Sequence, residues 1–98
     1  MRASVVIRSK DEADRLRLTL ASLAAQTEKP QVVVVNDGSS DHTATVIAEA
    51  AADLDLAAVH HATPAGRSAA ANAGAQKATG DILLFLEGDT LAAPDLVA

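Results

Sequence analysis

The sequence lacks cysteine, tryptophan and tyrosine, and Phe85 is its one aromatic residue. Without cysteine, neither disulfide bonds nor thiolate metal sites can form. A single aromatic ring also argues against recognition of nucleic-acid bases by stacked aromatic side chains. Positive charge is scarce as well, since 8 lysines and arginines stand against 13 carboxylates and give a net charge of −5. We therefore expect no nucleic-acid partner, because binding to a phosphate backbone needs a basic surface.

Long apolar runs are missing too. The first apolar stretch, Ser4-Val5-Val6-Ile7, is too short for the core of a signal peptide. Every other run falls far short of the roughly 20 residues that cross a bilayer. We expect a soluble chain with no membrane segment, and the lack of cysteine and of a signal peptide leads us to expect a cytoplasmic location.

What the sequence does contain is an alternation of strand-like and helix-like segments. Continuous apolar runs predict four buried strands, at residues 3–8, 31–36, 54–60 and 81–86. Apolar residues at helical spacing predict three helices, at residues 11–26, after Asp41, and at residues 66–79. The order βαβαβαβ predicts one α/β domain over residues 1–98, a Rossmann-like open parallel sheet with helices on both faces.

Small polar residues and glycine predict the helix ends. Asp11 and Asp41 are suited to cap the N-termini of the first and second helices, and Gly80 is suited to cap the C-terminus of the third. The apolar stripe predicted for the second helix consists of Ala44, Ile47, Ala48 and Ala51.

Polar residues follow three of the predicted strands, at positions 9–11, 37–40 and 87–89. In open parallel sheets, ligands bind at the carboxyl ends of the strands. The sequence therefore predicts a functional site at this edge of the sheet.

Glu87 and Asp89 follow the last strand and are separated only by Gly88. Side chains at i and i+2 of an extended segment point the same way, and Mg²⁺ and Mn²⁺ favour carboxylate ligands together with substrate phosphates. The glycine allows a ligand to approach closely. A solvated turn explains the same three residues, so the triplet alone leaves both interpretations open.

Two further residues are candidates for binding. Asp37 is suited to accept hydrogen bonds from the N–H edge of a nucleobase, and equally to stabilise a turn. Arg67 lies at the start of the predicted third helix, and an arginine beside a helix N-terminus is suited to bind anions. The same segment is explained equally well by an alanine-rich helix that packs closely on the sheet. The three histidines show no spacing typical of a zinc site.

Together these motifs resemble those of family 2 glycosyltransferases, which have the GT-A fold, and the resemblance covers nearly the whole chain. Four motifs occur in the order and spacing of that family: Ser4-Val5-Val6-Ile7 leading to Asp11-Glu12, then Val34-Val35-Asn36-Asp37-Gly38-Ser39-Ser40-Asp41, then Asn72-Ala73-Gly74 with Gly80-Asp81, and finally Leu84-Phe85-Leu86-Glu87-Gly88-Asp89.

The resemblance implies metal-assisted transfer of a sugar from a nucleoside diphosphate with inversion, with a UDP-sugar as the expected donor. It implies that the end of the first strand and Asp37 hold the nucleobase, and that the acid triplet holds the ribose and the metal. The divalent metal, Mn²⁺ or Mg²⁺, is assigned to Asp89. The residues assigned to the nucleotide are Ile7, Ser9, Glu12, Asp37, Arg67, Glu87 and Gly88.

The sequence departs from the family pattern at several positions. Arg8-Ser9-Lys10 stands where the family often has proline-x-aromatic, and Glu87 stands where an aspartate is more usual. Ala71 occupies a position where an arginine is common, and Arg67, one helical turn earlier, is a candidate to supply that charge. These departures leave the identity of the nucleobase open.

Residues 92–98 look like the start of a further helix, so we expect an N-terminal portion of a longer protein, truncated before its acceptor-binding half. The catalytic base would then lie beyond residue 98, and the isolated chain would be inactive. A nucleotide-binding or interaction module without catalysis is an alternative. A receiver-like domain is disfavoured because no later strand ends in lysine. An unpaired sheet edge would also favour homo-oligomers.

Overall fold

The computed structural model describes residues 2–87 of the 98, with Glu87 described by its backbone alone. Strands and helices alternate along the chain, which confirms the predicted order. The elements are β1 (Ala3–Ser9), α1 (Ala13–Ala24), β2 (Gln31–Asp37), α2 (Thr43–Ala50), β3 (Asp55–His61), α3 (Arg67–Lys77) and β4 (Ile82–Glu87).

The four strands form one parallel sheet in the order β3-β2-β1-β4. Val6 of β1 lies opposite Val33 of β2 and Phe85 of β4. Because all four strands run the same way, their carboxyl ends lie at one edge, which we call the carboxyl edge. The predicted Rossmann-like open sheet is therefore confirmed.

Helices cover both faces of the sheet, as predicted. Alternate residues of the two central strands, Val5 and Ile7 of β1 and Val32 and Val34 of β2, belong to one buried cluster with side chains of α1 and α2. On the opposite face α3 packs at Gly74, where an added Cβ would lie 2.3 Å from Val6 Cγ1 and 3.2 Å from Val35 Cγ2. The α/β sandwich thus follows from the period of two along each strand.

The run Val32-Val33-Val34-Val35 shows why β2 lies inside the sheet. All four valines are 0% exposed. A strand with one wet face would alternate apolar and polar side chains, whereas this run buries both of its faces. Full burial of each valine contributes about 1.5–3 kcal/mol relative to exposure.

The predicted cap of α1 is wrong. The N-cap position is Glu12, and Asp11 has a φ of 52°, with its Oδ1 accepting hydrogen bonds from the Ser40 N–H at 2.7 Å and the Ser40 hydroxyl at 3.2 Å. The N–H of Ala13 instead donates to Asp41 Oδ2 at 3.1 Å. A carboxylate from the loop after β2 therefore caps this helix, which no local pattern shows.

The start of α2 differs from the prediction in detail. Its N-cap position is His42, although Asp41 accepts a hydrogen bond from the Thr43 N–H at 3.0 Å. The predicted stripe of Ala44, Ile47, Ala48 and Ala51 is also wrong except at Ile47. The buried residues of α2 are Thr43, Val46 and Ile47, because turning the helix toward Val46 buries more apolar area than turning it toward the alanines.

Gly80 does not cap α3, whose C-cap residue is Ala78. The N–H of Gly80 donates to Ser4 Oγ at 2.8 Å, and a Cβ at this position would lie 2.7 Å from the Arg2 carbonyl oxygen. The glycine is needed because the chain passes directly against β1 before it enters β4.

The helices are short, with 12, 8 and 11 residues. None of the helices in the described part of the chain is long and apolar enough to cross a membrane.

On the outer strand β4, Ile82 is 45%, Leu83 40% and Phe85 54% exposed. Self-association through an exposed edge of the sheet stays a prediction.

The close contact at Gly74 makes a stability prediction. We expect Gly74→Val to lower the free energy of unfolding by about 2–3 kcal/mol, because the new side chain must displace Val6 or move α3 off the sheet. Urea denaturation measures this loss. Ala69→Val, at an exposed position of the same helix, is the matched control and should cost only about 0.5 kcal/mol. Equal losses in the two variants would contradict the packing described here.

Candidate functional site

Asp37, the last residue of β2, is the centre of the carboxyl edge. Its Oδ1 accepts hydrogen bonds from His61 Nδ1 at 3.1 Å and from the Ala65 N–H at 2.8 Å. Its Oδ2 accepts from Arg8 Nε at 3.0 Å and from the Gly66 N–H at 3.2 Å. One carboxylate thus connects the ends of β1, β2 and β3 with the loop that leads into α3.

The environment keeps Asp37 ionised. Its side chain is 0% exposed, and burial by itself raises the pKa of a carboxyl group. The hydrogen bonds from the Ala65 N–H, His61, Arg8 and the Gly66 N–H outweigh burial and hold the pKa of Asp37 far below its usual range. A permanent negative charge therefore sits inside the carboxyl edge, balanced by Arg8.

Two glycines let the loops come together around this charge. Gly38 has a φ of 71°, and a Cβ there would lie 2.4 Å from the Pro64 nitrogen. Gly66 has a φ of 93° and presents its N–H to Asp37. Residues that carry a Cβ rarely adopt either of these backbone conformations, so glycine is required at each position.

A second polar cluster joins the loops after β1 and β2. Besides accepting from Ser40, Asp11 donates its N–H to Ser39 Oγ at 3.0 Å. Hydrogen bonds from the Thr43 side chain and the Ala13 and Thr43 N–H groups lower the pKa of the exposed Asp41, although partial desolvation opposes them. This cluster borders an open hollow of about 450 Å³ whose lining includes Glu12 and His42.

The structure brings some of the predicted site residues together and separates others. Arg67 lines a cavity of about 200 Å³ together with Arg8, whereas Glu12 lines the separate hollow beside Asp41. Ile7 is fully buried in the core cluster of α1 and α2. Asp37 is at the carboxyl edge, but its two oxygens are engaged by four donors of the chain itself.

Ser9, the last residue of β1, is fully buried. Its hydroxyl has no hydrogen-bond partner among the residues that the structure describes. An unpaired buried hydroxyl costs about 1–3 kcal/mol, so a group from outside residues 2–87 is favoured at this point. The assignment of Ser9 to the nucleotide stays a prediction.

The acid triplet begins at Glu87, the last residue that the structure describes. Glu87 ends β4, and its Cα is the register partner of Arg8 on β1. Gly88 and Asp89 lie outside the described residues, and among the histidine and acidic side chains that the structure describes no group of three or more is placed to hold a metal ion. The chemistry of the pair, two carboxylates one residue apart, suits a hard divalent cation.

Arg8 and His61 are the side-chain contacts of Asp37 that sequence reasoning missed. A signal exists for Arg8, because a charged residue interrupts the apolar run of β1 at its carboxyl end. His61 ends β3 in the same way. Their meeting at Asp37 depends on the strand order, which the pattern of apolar residues does not reveal.

Comparison with known proteins gives one consistent match. The sequence model of glycosyl transferase family 2 matches residues 4–98. Over 100 residues the chain is 37% identical to the uncharacterized glycosyltransferase YfnE of Bacillus subtilis (strain 168). This alignment covers 100% of this chain and 26% of YfnE. The chain thus spans about a quarter of that relative's length.

Two solved structures show the same architecture. S. aureus TarS in complex with UDP-GlcNAc aligns with a TM-score of 0.85 and 28% identity, over 91% of this chain and 27% of that one. The mannosyltransferase PcManGT from Pyrobaculum calidifontis, in complex with GDP-Man and Mn²⁺, aligns with a TM-score of 0.87 and 29% identity, over 95% of this chain and 29% of that one.

The four donors to Asp37 make a prediction about acid stability. A carboxyl group whose pKa is lower in the folded than in the unfolded chain stabilises the fold above about pH 4 and loses this effect as the pH falls further. We expect Asp37→Asn to cost about 2–4 kcal/mol at pH 7, and to weaken the fall in stability between about pH 4 and pH 2.

Urea denaturation at a series of pH values measures both effects. Asp53→Asn removes an exposed carboxylate and is the matched control, with a change within about 0.5 kcal/mol at pH 7. If Asp37→Asn matched this control in stability and in pH dependence, the buried ionised carboxylate would be disproved.

Proposed function

The chain belongs to glycosyl transferase family 2, and from this we propose that residues 1–98 form the nucleotide-sugar-binding part of a sugar transferase. The proposed donor is a UDP-sugar, transferred with inversion to an acceptor held elsewhere in the whole protein. The proposal rests above all on one observation, the cluster of polar groups around Asp37 at the carboxyl edge of a parallel sheet.

Each part of the edge has a proposed task. The buried hydroxyl of Ser9, which lacks a partner within the described residues, would receive a hydrogen-bonding group of the nucleotide. Glu12 and Arg67, which line separate hollows, would bound the site on either side of β1. The side chain of Ile7 lies in the core, so this residue would support the site by holding β1 in place.

Asp37 supports this site chiefly by holding other groups in place. Through its oxygens it orients Arg8, His61 and the N–H groups of the loop before α3. Such fixed donors lose little entropy when a ligand binds, which is how preorganised sites gain affinity. A nucleobase contact by Asp37 itself would require one of its four present donors to give way.

Asp89, with Glu87 and Gly88 beside it, is the proposed place of a divalent metal. The carboxylate donors fit Mn²⁺ or Mg²⁺, and Glu87, which ends β4, is the register partner of Arg8 at the carboxyl edge. PcManGT, which was solved with Mn²⁺, aligns with 95% of this chain. When bound, such a metal supplies positive charge that offsets the charge of the departing nucleoside diphosphate.

The acidic composition of the chain creates a need for positive charge at the nucleotide site. The chain carries a net charge of −5 and approaches a ligand that is itself anionic. Arg8 and Arg67 offset part of the repulsion, but Arg8 is already paired with Asp37. We infer that residues 1–98 bind the donor by themselves, whereas deprotonation of the acceptor hydroxyl falls to a base outside them.

Calorimetric titration of the 98-residue chain with UDP, with and without Mn²⁺, tests this proposal. We expect Mn²⁺ to tighten binding by about tenfold or more, and Asp89→Ala to abolish this gain while leaving the fold intact by circular dichroism. Glu28→Ala, an exposed carboxylate just before the opposite end of β2, should behave like the unaltered chain. A folded chain that bound neither UDP nor GDP in the presence of Mn²⁺ would refute the proposed function.

A further inference from the structure

The strand β3 lies at one edge of the sheet, and β2 is its only neighbouring strand in the part of the chain that the structure describes. Its seven residues, Asp55–His61, pair with β2 residue for residue and without a bulge. The outer edge of β3 therefore presents the backbone N–H and C=O groups of alternate residues in a regular row. No other described strand pairs with that row.

The sequence of β3 lacks the features that usually protect an edge strand. Such strands are guarded by lysine, proline, a bulge or a covering segment. The strand reads Asp-Leu-Ala-Ala-Val-His-His and contains neither lysine nor proline. Ala58, in the middle of the strand, and His60 are exposed among the described residues. An edge of this kind is suited to accept a further strand.

The charges along β3 favour one direction for the added strand. The strand begins with the carboxylate of Asp55 and ends with His60 and His61. A second copy in parallel register would place Asp55 against its own counterpart, whereas an antiparallel copy brings each carboxylate opposite a histidine. Opposite charges across neighbouring strands stabilise their pairing, and like charges directly opposite each other destabilise it. The pattern is therefore complementary to itself in the antiparallel direction.

We infer that two copies of the chain pair antiparallel through β3, with Ala58 of each copy at the two-fold axis. This register overlaps all seven residues of the strand and sets Asp55 of one copy opposite His61 of the other. The pairs between these two ends contain no like charges. The interface is isologous, as in most closed dimers, and it joins two four-stranded sheets into one continuous sheet.

The proposed interface meets the candidate site at His61. The Nδ1 atom of His61 lies 3.1 Å from Oδ1 of Asp37. In antiparallel strands, directly opposite side chains lie on the same face, with their Cβ atoms about 4.5–5.5 Å apart. Asp55 of the second copy, whose own Arg2 binds it at 2.6 Å, therefore lies beside a residue that contacts Asp37. Each copy thus contributes a carboxylate next to the polar cluster of the other.

Sedimentation equilibrium of the 98-residue chain without nucleotide, over about a hundredfold range of concentration, tests this assignment independently of the proposed function. We expect the mass to rise from that of one chain toward that of two. Ala58→Lys and Ala58→Glu each place like charges at the two-fold axis and should weaken the dimer by about tenfold or more. An equimolar mixture of the two variants should recover the dimer, because lysine then faces glutamate.

Phe85→Lys, at an exposed position of the other outer strand β4, is the matched control and should dimerise like the unaltered chain. The assignment is overturned by a chain that stays monomeric, by a dimer that Ala58→Lys leaves intact, or by one that Phe85→Lys abolishes. A mixture of the two Ala58 variants that stays monomeric would overturn the register.

Hydrogen exchange of the unaltered chain provides a test that needs no variant. Backbone amides on the outer edge of β3 should exchange more slowly as the concentration rises, because they then donate to the second copy. If the chain dimerised while exchange in β3 stayed the same, the interface would lie elsewhere, even if the Ala58 variants failed to fold.

Discussion

A carboxylate buried without partners would cost several kcal/mol, and this fold buries the carboxylate of Asp37 at the end of its second strand but supplies it with partners. Asp37 stays charged inside the protein because four donors from three different segments meet it. Those donors fix the ends of β1 and β3 and the entry into α3 relative to one another. The geometry of the carboxyl edge at β1, β2 and β3 therefore depends on one charge and its hydrogen bonds.

The packing of the sheet makes this convergence possible. The valines of β2 are buried on both faces of the sheet, so water does not reach the strand that carries Asp37. Gly74 lets α3 lie directly on β1 and β2, and Gly38 lets the turn after β2 touch the loop at Pro64. Each close approach shortens the distance that the donors to Asp37 must span. The small residues that dominate α3 are thus part of the architecture of the site.

The sequence predicted the features that local patterns carry, and it missed those that arise from contacts between distant segments. Continuous valine runs and helical stripes predicted seven elements and a parallel sheet correctly. Asp11 was expected to cap α1, but it faces Ser40, 29 residues away. Arg8 and Asp37 are likewise 29 residues apart and meet only because β1 and β2 are neighbours. Helix caps and ion pairs of this kind are set by strand order, which periodicity does not encode.

The central claim is that the nucleotide binds at the carboxyl edge organised by Asp37. Amide chemical shifts of the isotopically labelled chain, recorded during titration with UDP and Mg²⁺, test its location directly. We predict that the largest changes fall on Arg8, Ser9, Gly66 and Arg67. Changes centred instead on the cavity of about 190 Å³ between α1 and α2, which Leu20, Val46 and Leu54 help to line, would contradict the account.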